Sequence, residues 1–347
     1  MRLLVTGGGG FVGSHVVEYY AKRGEEVIAL DNLSRARILG SGEKNARYNW
    51  EHLGRYDNVE RAEGDIRDGG LLQRLAGDVD AIIHTAGQVA VTTSLKDPRT
   101  DMEINLLGTF NVLEAARLSK SNPAVLFCST NKVYGDNVNK IPVEELETRY
   151  AFAHGHANGV PESLSTDLCE HTPYGCSKLA ADIYVQDYGK RHEVDTAVFR
   201  MSCIYGTRQF GTEDQGWVAH FVIATLTGRP LTIFGDGKQV RDLLYVEDLV
   251  RAYDAFLGKR ERYAGEVYNT GGGVKNTTSL LELLDLLEAE TGMRSELCFS
   301  DWRPSDQKVY ISDITKAKKE LGWEPKIGPR DGIKRMVSWV GENKRLF

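Results

Sequence analysis

The sequence predicts an α/β protein: a parallel sheet with helices on both faces, accompanied by a smaller α/β domain. Three observations carry this. Short apolar runs rich in strand formers alternate with helical periodicity from the first residues onward. The first run breaks into four glycines just before a helix. At 347 residues the chain exceeds what one hydrophobic core usually serves.

In order, residues 3–5 read as a strand, 12–22 as a helix and 26–30 as a second strand ending at Asp31, which makes a βαβ unit. Residues 59–63, 81–84, 124–128 and 196–199 continue the strand pattern. A Rossmann-type sheet is the economical architecture for that alternation. After Arg200 the pattern loosens into loops carrying Gly206, Gly211, Gly216, Gly228 and Gly235, and helical periods follow at 279–290 and 313–321. Residues 246–257 read as a helix returning to the first domain. The expected division is therefore 1–200 with about 240–272 for the first domain, and 201–239 with about 273–347 for the second.

The composition, 41% apolar and 27% charged, is that of an ordinary globular protein. A net charge of −6 argues against nucleic acid or an anionic membrane surface as partner, since both need a basic field. Five scattered cysteines contain no C-x-x-C pair, so neither a zinc site nor a disulfide framework is expected, and a reducing cytoplasm fits. No apolar run approaches the roughly 18 residues of a membrane span.

The run Gly7-Gly8-Gly9-Gly10-Phe11-Val12-Gly13 lies between strand and helix. Glycines there permit a tight turn, close approach of backbone to a pyrophosphate, and tight helix–strand packing, while the helix N-terminus meets the phosphate charge. Asp31, ending the second strand, is placed to accept hydrogen bonds from the adenosine ribose hydroxyls and would repel a 2′-phosphate. NAD rather than NADP is the expected cofactor, although Arg35 and Arg37 just beyond could soften that preference. Asp65 is placed to reach the adenine amino group or is merely solvated. Residues 40–58, with Tyr48, Trp50 and Tyr56, either cover the adenosine end or pack as a surface helix. A second insertion, 135–171, shapes a pocket or forms a flap.

Tyr174 and Lys178 stand four apart, on one face if the segment is helical, and Pro173 suits a first helical turn. A phenol with its usual pKa near 10 is a poor base at pH 7. A neighbouring ammonium and a bound nicotinamide cation would both favour phenolate, and a lowering of ~3 units asks for about 4 kcal/mol of them. Ser129 and Thr130 follow an apolar strand, where a hydroxyl either meets a reacting substrate oxygen or caps the strand end. His84 reads as a packed core or cofactor-lining residue. His154, His156 and His171 lack partners at metal spacing, so no metal is expected.

Together these residues resemble the extended short-chain dehydrogenase/reductase family of nucleotide-sugar epimerases and dehydratases. Further segments carry the likeness: Gly64-Asp65-Ile66-Arg67-Asp68, His84-Thr85-Ala86-Gly87, Asn105 with Gly108-Thr109, the stretch from Gly235 to Asp242, and Arg303-Pro304-Ser305-Asp306. The resemblance implies a cofactor site of Gly7, Gly10, Phe11, Val12, Gly13, Asp31, Asn32, Ser34, Asp65, Ile66, Thr85, Ala86, Gly87, Gln88, Asn105, Tyr174 and Lys178. It also implies that Arg241 and Arg303 pair with the diphosphate of a nucleoside-diphosphate sugar. From the residues alone, either arginine could instead be a surface ion pair. A homodimer is implied as well.

The chain departs from the dehydratase pattern. Where those enzymes carry an Asp-Glu pair after the threonine, this one has Asn131 and Lys132, which cannot serve as that acid and base. The string from Ser129 to Asp136, with 86–94 upstream and 146–150 downstream, is similar to the CDP-tyvelose/CDP-paratose 2-epimerase branch. Cys203 replaces the family's usual asparagine in Arg-x-x-Asn-x-Tyr-Gly, so the pocket near sugar or phosphate must differ. The expectation is inversion of C2 of a CDP-hexose through a transient 2-keto sugar, with tightly bound NAD, Tyr174 as base, Lys178 tuning it, and Thr130, Asn131 and Cys203 near the substrate. The alternatives are a UDP- or GDP-sugar epimerase acting at C4 or C2, and a catalytically silent NAD-binding sensor or scaffold.

Overall fold

The computed structural model describes residues 1–35, 45, 47–303 and 306–347. Arg37, Pro304, Ser305 and the part of the first insertion at 40–44 and 46 lie outside the described residues.

Seven strands form the main sheet: β1 (Arg2–Thr6), β2 (Glu26–Asp31), β3 (Val59–Glu63), β4 (Ala81–His84), β5 (Ala124–Thr130), β6 (Thr196–Met201) and β7 (Glu266–Thr270). Their order is β7-β6-β5-β4-β1-β2-β3. The β1–β2, β2–β3, β1–β4 and β4–β5 pairings are parallel, with Leu3 facing Val27 on one side and Ala81 on the other. Every residue of β4 and β5 is buried, which is why both read as unbroken apolar runs rather than alternating ones. Leu4, Ile28, Ile82, Val125 and Val198 share a core with Leu72, Leu113 and Val185 of the covering helices. Strand order reverses between β1 and β4, the place where ligands of such sheets bind beyond the strand ends.

Helix α1 (Phe11–Ala21) follows β1, and α2 (Tyr48–Leu53) falls in the first insertion. In α2, Trp50 is buried and carries the Arg61 guanidinium over its ring, while Tyr56 donates to Glu18 of α1 at 2.8 Å. That described part packs as a surface helix. A continuous helical run comprises α3 (Pro98–Met102), a π-helical turn (Glu103–Leu107) and α4 (Gly108–Leu118). Helix α5 (Pro173–Arg191) starts with Thr172 as N-cap and Pro173 in its first turn.

By compactness the chain divides into one unit of Met1–Val133, Thr172–Arg200 and Val250–Tyr268, and another of Tyr134–His171, Met201–Leu249 and Asn269–Phe347. The second unit holds a three-stranded sheet ordered Thr277–Ser279, Val240–Asp242, Val309–Tyr310, and a parallel pair of Leu231–Phe234 with Leu297–Ser300. Where the sequence reads as glycine-rich loops there is a helix, α6 (Trp217–Thr227). Its composition is apolar all round, so it has no amphipathic period to detect, and most of it is buried. Gly216 (φ 74°) and Gly228 (φ 66°) bound it in left-handed conformations. Helix Leu280–Thr291 starts with a Ser279–Glu282 capping box. No helix among the described residues is long and apolar enough to cross a membrane.

Candidate active site

The glycine turn is shaped by close approach. Gly7 has φ 71°, and Gly10 N–H donates to Gly7 O at 2.9 Å. A Cβ on Gly13 would collide with the Gly7 carbonyl oxygen and Thr85 Oγ1, and one on Gly7 would strike the Ala86 backbone. Gly10 is the N-cap of α1 and offers no side-chain acceptor, so the first amides of the helix, at Phe11 and Val12, keep their dipole end for an anion. Asp31 accepts from Gly9 N–H at 2.9 Å and Leu33 N–H at 2.8 Å. Burial pushes its carboxyl up, and those backbone donors pull it down. A glycine cradle at an uncapped helix start with a carboxylate beside it fits a dinucleotide.

Asn32 donates from Nδ2 to Asp65 Oδ2 at 2.8 Å and receives Ser34 N–H at 3.1 Å. Arg67 grips Asp65 through two nitrogens, at 3.0 and 2.8 Å, holding that carboxyl down at about 2. Asp65 is therefore more than a solvated loop acid. Ile66 is buried against Gly108, where a Cβ would clash with it.

On the other side of the switch point, Thr85 donates from Oγ1 to Thr6 O at 2.7 Å. Asn105 Oδ1 accepts Gln88 N–H at 2.9 Å, and Asn105 Nδ2 donates to Gln88 O at 3.0 Å. A Cβ on Gly87 would sit 3.0 Å from Asn105 Oδ1 and 4.0 Å from Lys178 Nζ. The stretch Thr85–Gln88 is thus clamped between β1 and the π-helical turn and runs beside Lys178.

Tyr174 and Lys178 share the buried face of α5, as the spacing predicts. Lys178 Nζ donates to Cys128 O at 2.5 Å and lies 4.1 Å from the centre of the Phe127 ring. Burial brings the ammonium down to about 8. Burial raises Tyr174 to about 12, and the Thr130 hydroxyl opposes this. Within the protein's own residues, desolvation of phenolate outweighs the attraction of a lysine that is itself desolvated and turned toward a carbonyl.

The two hydroxyls at the end of β5 separate in role. Ser129 donates to Asp182 Oδ2 at 2.7 Å, and Asp182 is paired with Arg200 at 3.0 and 3.1 Å, all fully or nearly buried. Ser129 is structural, whereas Thr130 stands beside Tyr174. The sequence reading missed Asp182, although it falls on the stripe of Tyr174 and Lys178, four residues further along α5. Asn131 and Lys132 open a 3₁₀ segment, where Lys132 N–H donates to Thr130 Oγ1 at 3.2 Å. His84 is a core histidine. Its ring nitrogens face Thr6 Oγ1 at 2.6 Å and Thr109 Oγ1 at 3.0 Å, and burial brings it down to about 3. Among the described residues no group of three acidic, cysteine or histidine side chains could hold a metal.

In the second unit, Arg241 pairs with Asp306 at 2.7 Å, and Arg303 faces Glu213 at 3.4 Å and Asp214 at 3.5 Å with its guanidinium 3.8 Å over the Phe234 ring centre. Both arginines stand in ion pairs here. Cys203 Sγ accepts the Trp217 indole N–H at 3.3 Å, a partner no sequence signal indicated.

A glycine turn closed on Thr85, a carboxylate at the end of the second strand, and a buried Tyr/Lys pair on one helical face define a dinucleotide enzyme of the short-chain dehydrogenase/reductase class. The chain belongs to the NAD dependent epimerase/dehydratase family, whose model matches residues 3–271. It is 42% identical to a CDP-paratose 2-epimerase of Salmonella typhi, covering 98% of this chain and 99% of that one. It is 35% identical to a putative UDP-glucose 4-epimerase of Methanocaldococcus jannaschii, over 99% of each. Among solved structures, the UDP-glucuronic acid 4-epimerase of Bacillus cereus, in complex with UDP-glucuronic acid and NAD, superimposes with a TM-score of 0.82 at 28% identity, over the full length of both chains.

Proposed function

We propose that this protein epimerises a nucleoside-diphosphate sugar at C2, with a CDP-hexose of the paratose/tyvelose kind as substrate and tightly bound NAD as cofactor. The observation that carries the reading is the Thr130–Tyr174–Lys178 cluster followed by Asn131 and Lys132. It has the hydroxyl, phenol and ammonium for a reversible oxidation, and it lacks the acid–base pair for eliminating water. The 42% likeness to a CDP-paratose 2-epimerase supports C2 and the cytidine nucleotide.

Bound NAD would supply a reversible hydride acceptor for C2, so net redox would be zero. Tyr174 Oη takes the proton of the C2 hydroxyl and gives it back. The Thr130 hydroxyl, already the group that eases ionisation of Tyr174, hydrogen-bonds the same oxygen. Lys178, fixed by Cys128 O, holds the nicotinamide ribose. Asp31 and the uncapped start of α1 receive the adenosine ribose and the pyrophosphate. In the second unit, Arg241 and Arg303 exchange their carboxylate partners for the substrate diphosphate.

The test is product analysis with CDP-, UDP- and GDP-hexoses and no added NAD, using substrates deuterated at C2 or at C4. Inversion at C2 with a CDP-hexose is the expected outcome, and the oxidised carbon is the one whose deuterium slows turnover, because its hydride is the one transferred. A second reading, a UDP-sugar 4-epimerase, is favoured by the likeness to the two 4-epimerases. Inversion at C4 alone would establish it in place of ours. A homodimer is part of the proposal. Met102, Leu107, Phe110, Ile183 and Tyr184 are exposed apolar side chains on the run from α3 to α4 and on α5, with the Phe110 and Tyr184 rings 5.9 Å apart. A monomer in sedimentation equilibrium would remove that part.

A further inference from the structure

Asp101, on α3, has no place in the mechanism above, yet it is almost fully buried. Its carboxylate accepts from three neutral groups: Ser177 Oγ at 2.5 Å, Gln88 Nε2 at 2.8 Å and Asn105 Nδ2 at 3.1 Å. Each donor comes from a different part of the site. Ser177 sits on α5 immediately before Lys178 and one turn after Tyr174. Gln88 ends the clamped stretch beside Lys178 and also holds Ala90 through its own side chain. Asn105 is the centre of the π-helical turn. One carboxylate therefore ties three segments of the site together.

The positive charge that favours its ionised form is the Lys178 ammonium. On α5, the titratable groups that face it are Tyr174 and Lys178; Asp182 is committed to Arg200, and Lys178 donates to Cys128 O. On its own helix Arg99 is turned outward to Glu103 of the π-helical turn, and Lys96, on the preceding helix Val91–Lys96, is exposed. Burial pushes the Asp101 carboxyl up, and its donors hold it down. Among the described residues, Asp182 is paired with Arg200, whereas the partners of Asp101 are neutral donors and the Lys178 charge.

We propose that Asp101 is a positioning residue with two tasks: it locks the Gln88–Ala90 stretch and α5 into one buried knot, and its negative charge sets how readily Tyr174 gives up its proton. The Asp101 charge opposes phenolate at Tyr174 while drawing Lys178 toward the ammonium form. The pair is then kept as phenol and ammonium until a further positive charge arrives. This inference rests on the reading of Tyr174 as the proton-transferring group.

The test is Asp101→Asn, which keeps the shape and removes the charge, in the full-length protein. Two readouts are used: the limb of the kcat/KM profile that rises with pH as Tyr174 loses its proton, and phenolate absorbance titrated against Tyr174→Phe to isolate one of the 15 tyrosines. Both should move roughly 1 pH unit toward acid, the scale of one partly screened buried charge. Ser177→Ala, which leaves the charge and removes one tie, should keep the limb at its wild-type position and lose bound NAD several-fold faster on dilution. Asp101→Asn with limb and titration both unmoved overturns the charge assignment. If Asp101→Asn does not fold, Ser177→Ala decides: wild-type retention of NAD, or a displaced limb, overturns the proposal. The absorbance titration needs no substrate, so a shifted titration in a protein that turns over no nucleotide sugar would count against the proposed function and not against Asp101.

Discussion

The Tyr174/Lys178 pair of the first unit and the two arginines of the second hold their charges in opposite ways. In the first, Tyr174, Lys178, Asp101, Asp182 and Arg200 are buried, and the Tyr174 and Lys178 values are set mainly by lost water. In the second, Arg241 and Arg303 are matched by carboxylates, and the Arg303 side chain remains 29% exposed. Desolvation makes a group's proton affinity sensitive to one nearby charge, which suits proton transfer. A paired, partly wet guanidinium can trade one anion for another at small cost, which suits holding a ligand.

The strongest way to break this contrast is at Tyr174. Tyr174→Phe should lower kcat by roughly 10³-fold, within the span of general acid–base contributions, while bound NAD, read by absorbance after denaturation, stays at wild-type stoichiometry. Near-normal turnover would move the chemistry elsewhere. Next comes Arg241→Ala, expected to raise KM by about 10- to 100-fold, the worth of a charged hydrogen bond, and to leave kcat within a few-fold. A loss confined to kcat would mean that this arginine belongs with the buried set.

The smallest effect is on stability, and it sharpens the contrast. The unfolded chain keeps the Lys178 proton up to about pH 10.5, whereas the folded protein gives it up near 8. Between those values the unfolded state binds more protons, so this group's contribution to stability rises with pH, and its penalty is full below 8. Lys178→Met should therefore be inactive yet more stable at pH 7 by about 1 kcal/mol, with the advantage gone above pH ~10.5, as read from denaturant midpoints across pH. A less stable variant at pH 7 would mean that the bond to Cys128 O and the Phe127 ring repay the desolvation in full.

The sheet was legible because β1, β4 and β5 are covered on both faces and read as unbroken apolar runs, and because the glycine turn has few alternatives. The Tyr174/Lys178 face followed from helical spacing alone. The missed features were those whose partners are distant in sequence. Asp101 meets Ser177 and Gln88 only in three dimensions, and Trp217 finds Cys203 at the start of a helix that lacks a polar face. The dryness around Tyr174 was hidden for a related reason. Sequence gives the neighbour at four residues, but it does not give the dryness of the place or the carbonyl toward which the lysine turns.

The π-helical turn carries a consequence for inheritance. It holds one residue more than an α turn needs, so deleting one from Glu103–Leu107 would yield a smoother helix with better-aligned backbone bonds. It would also swing everything beyond it by about 100°, taking Thr109 away from His84 and Gly108 away from Ile66. Descendants of this chain can thus drift in the letters of that turn more freely than in its length, and a gap there is the edit that lineages should lose first.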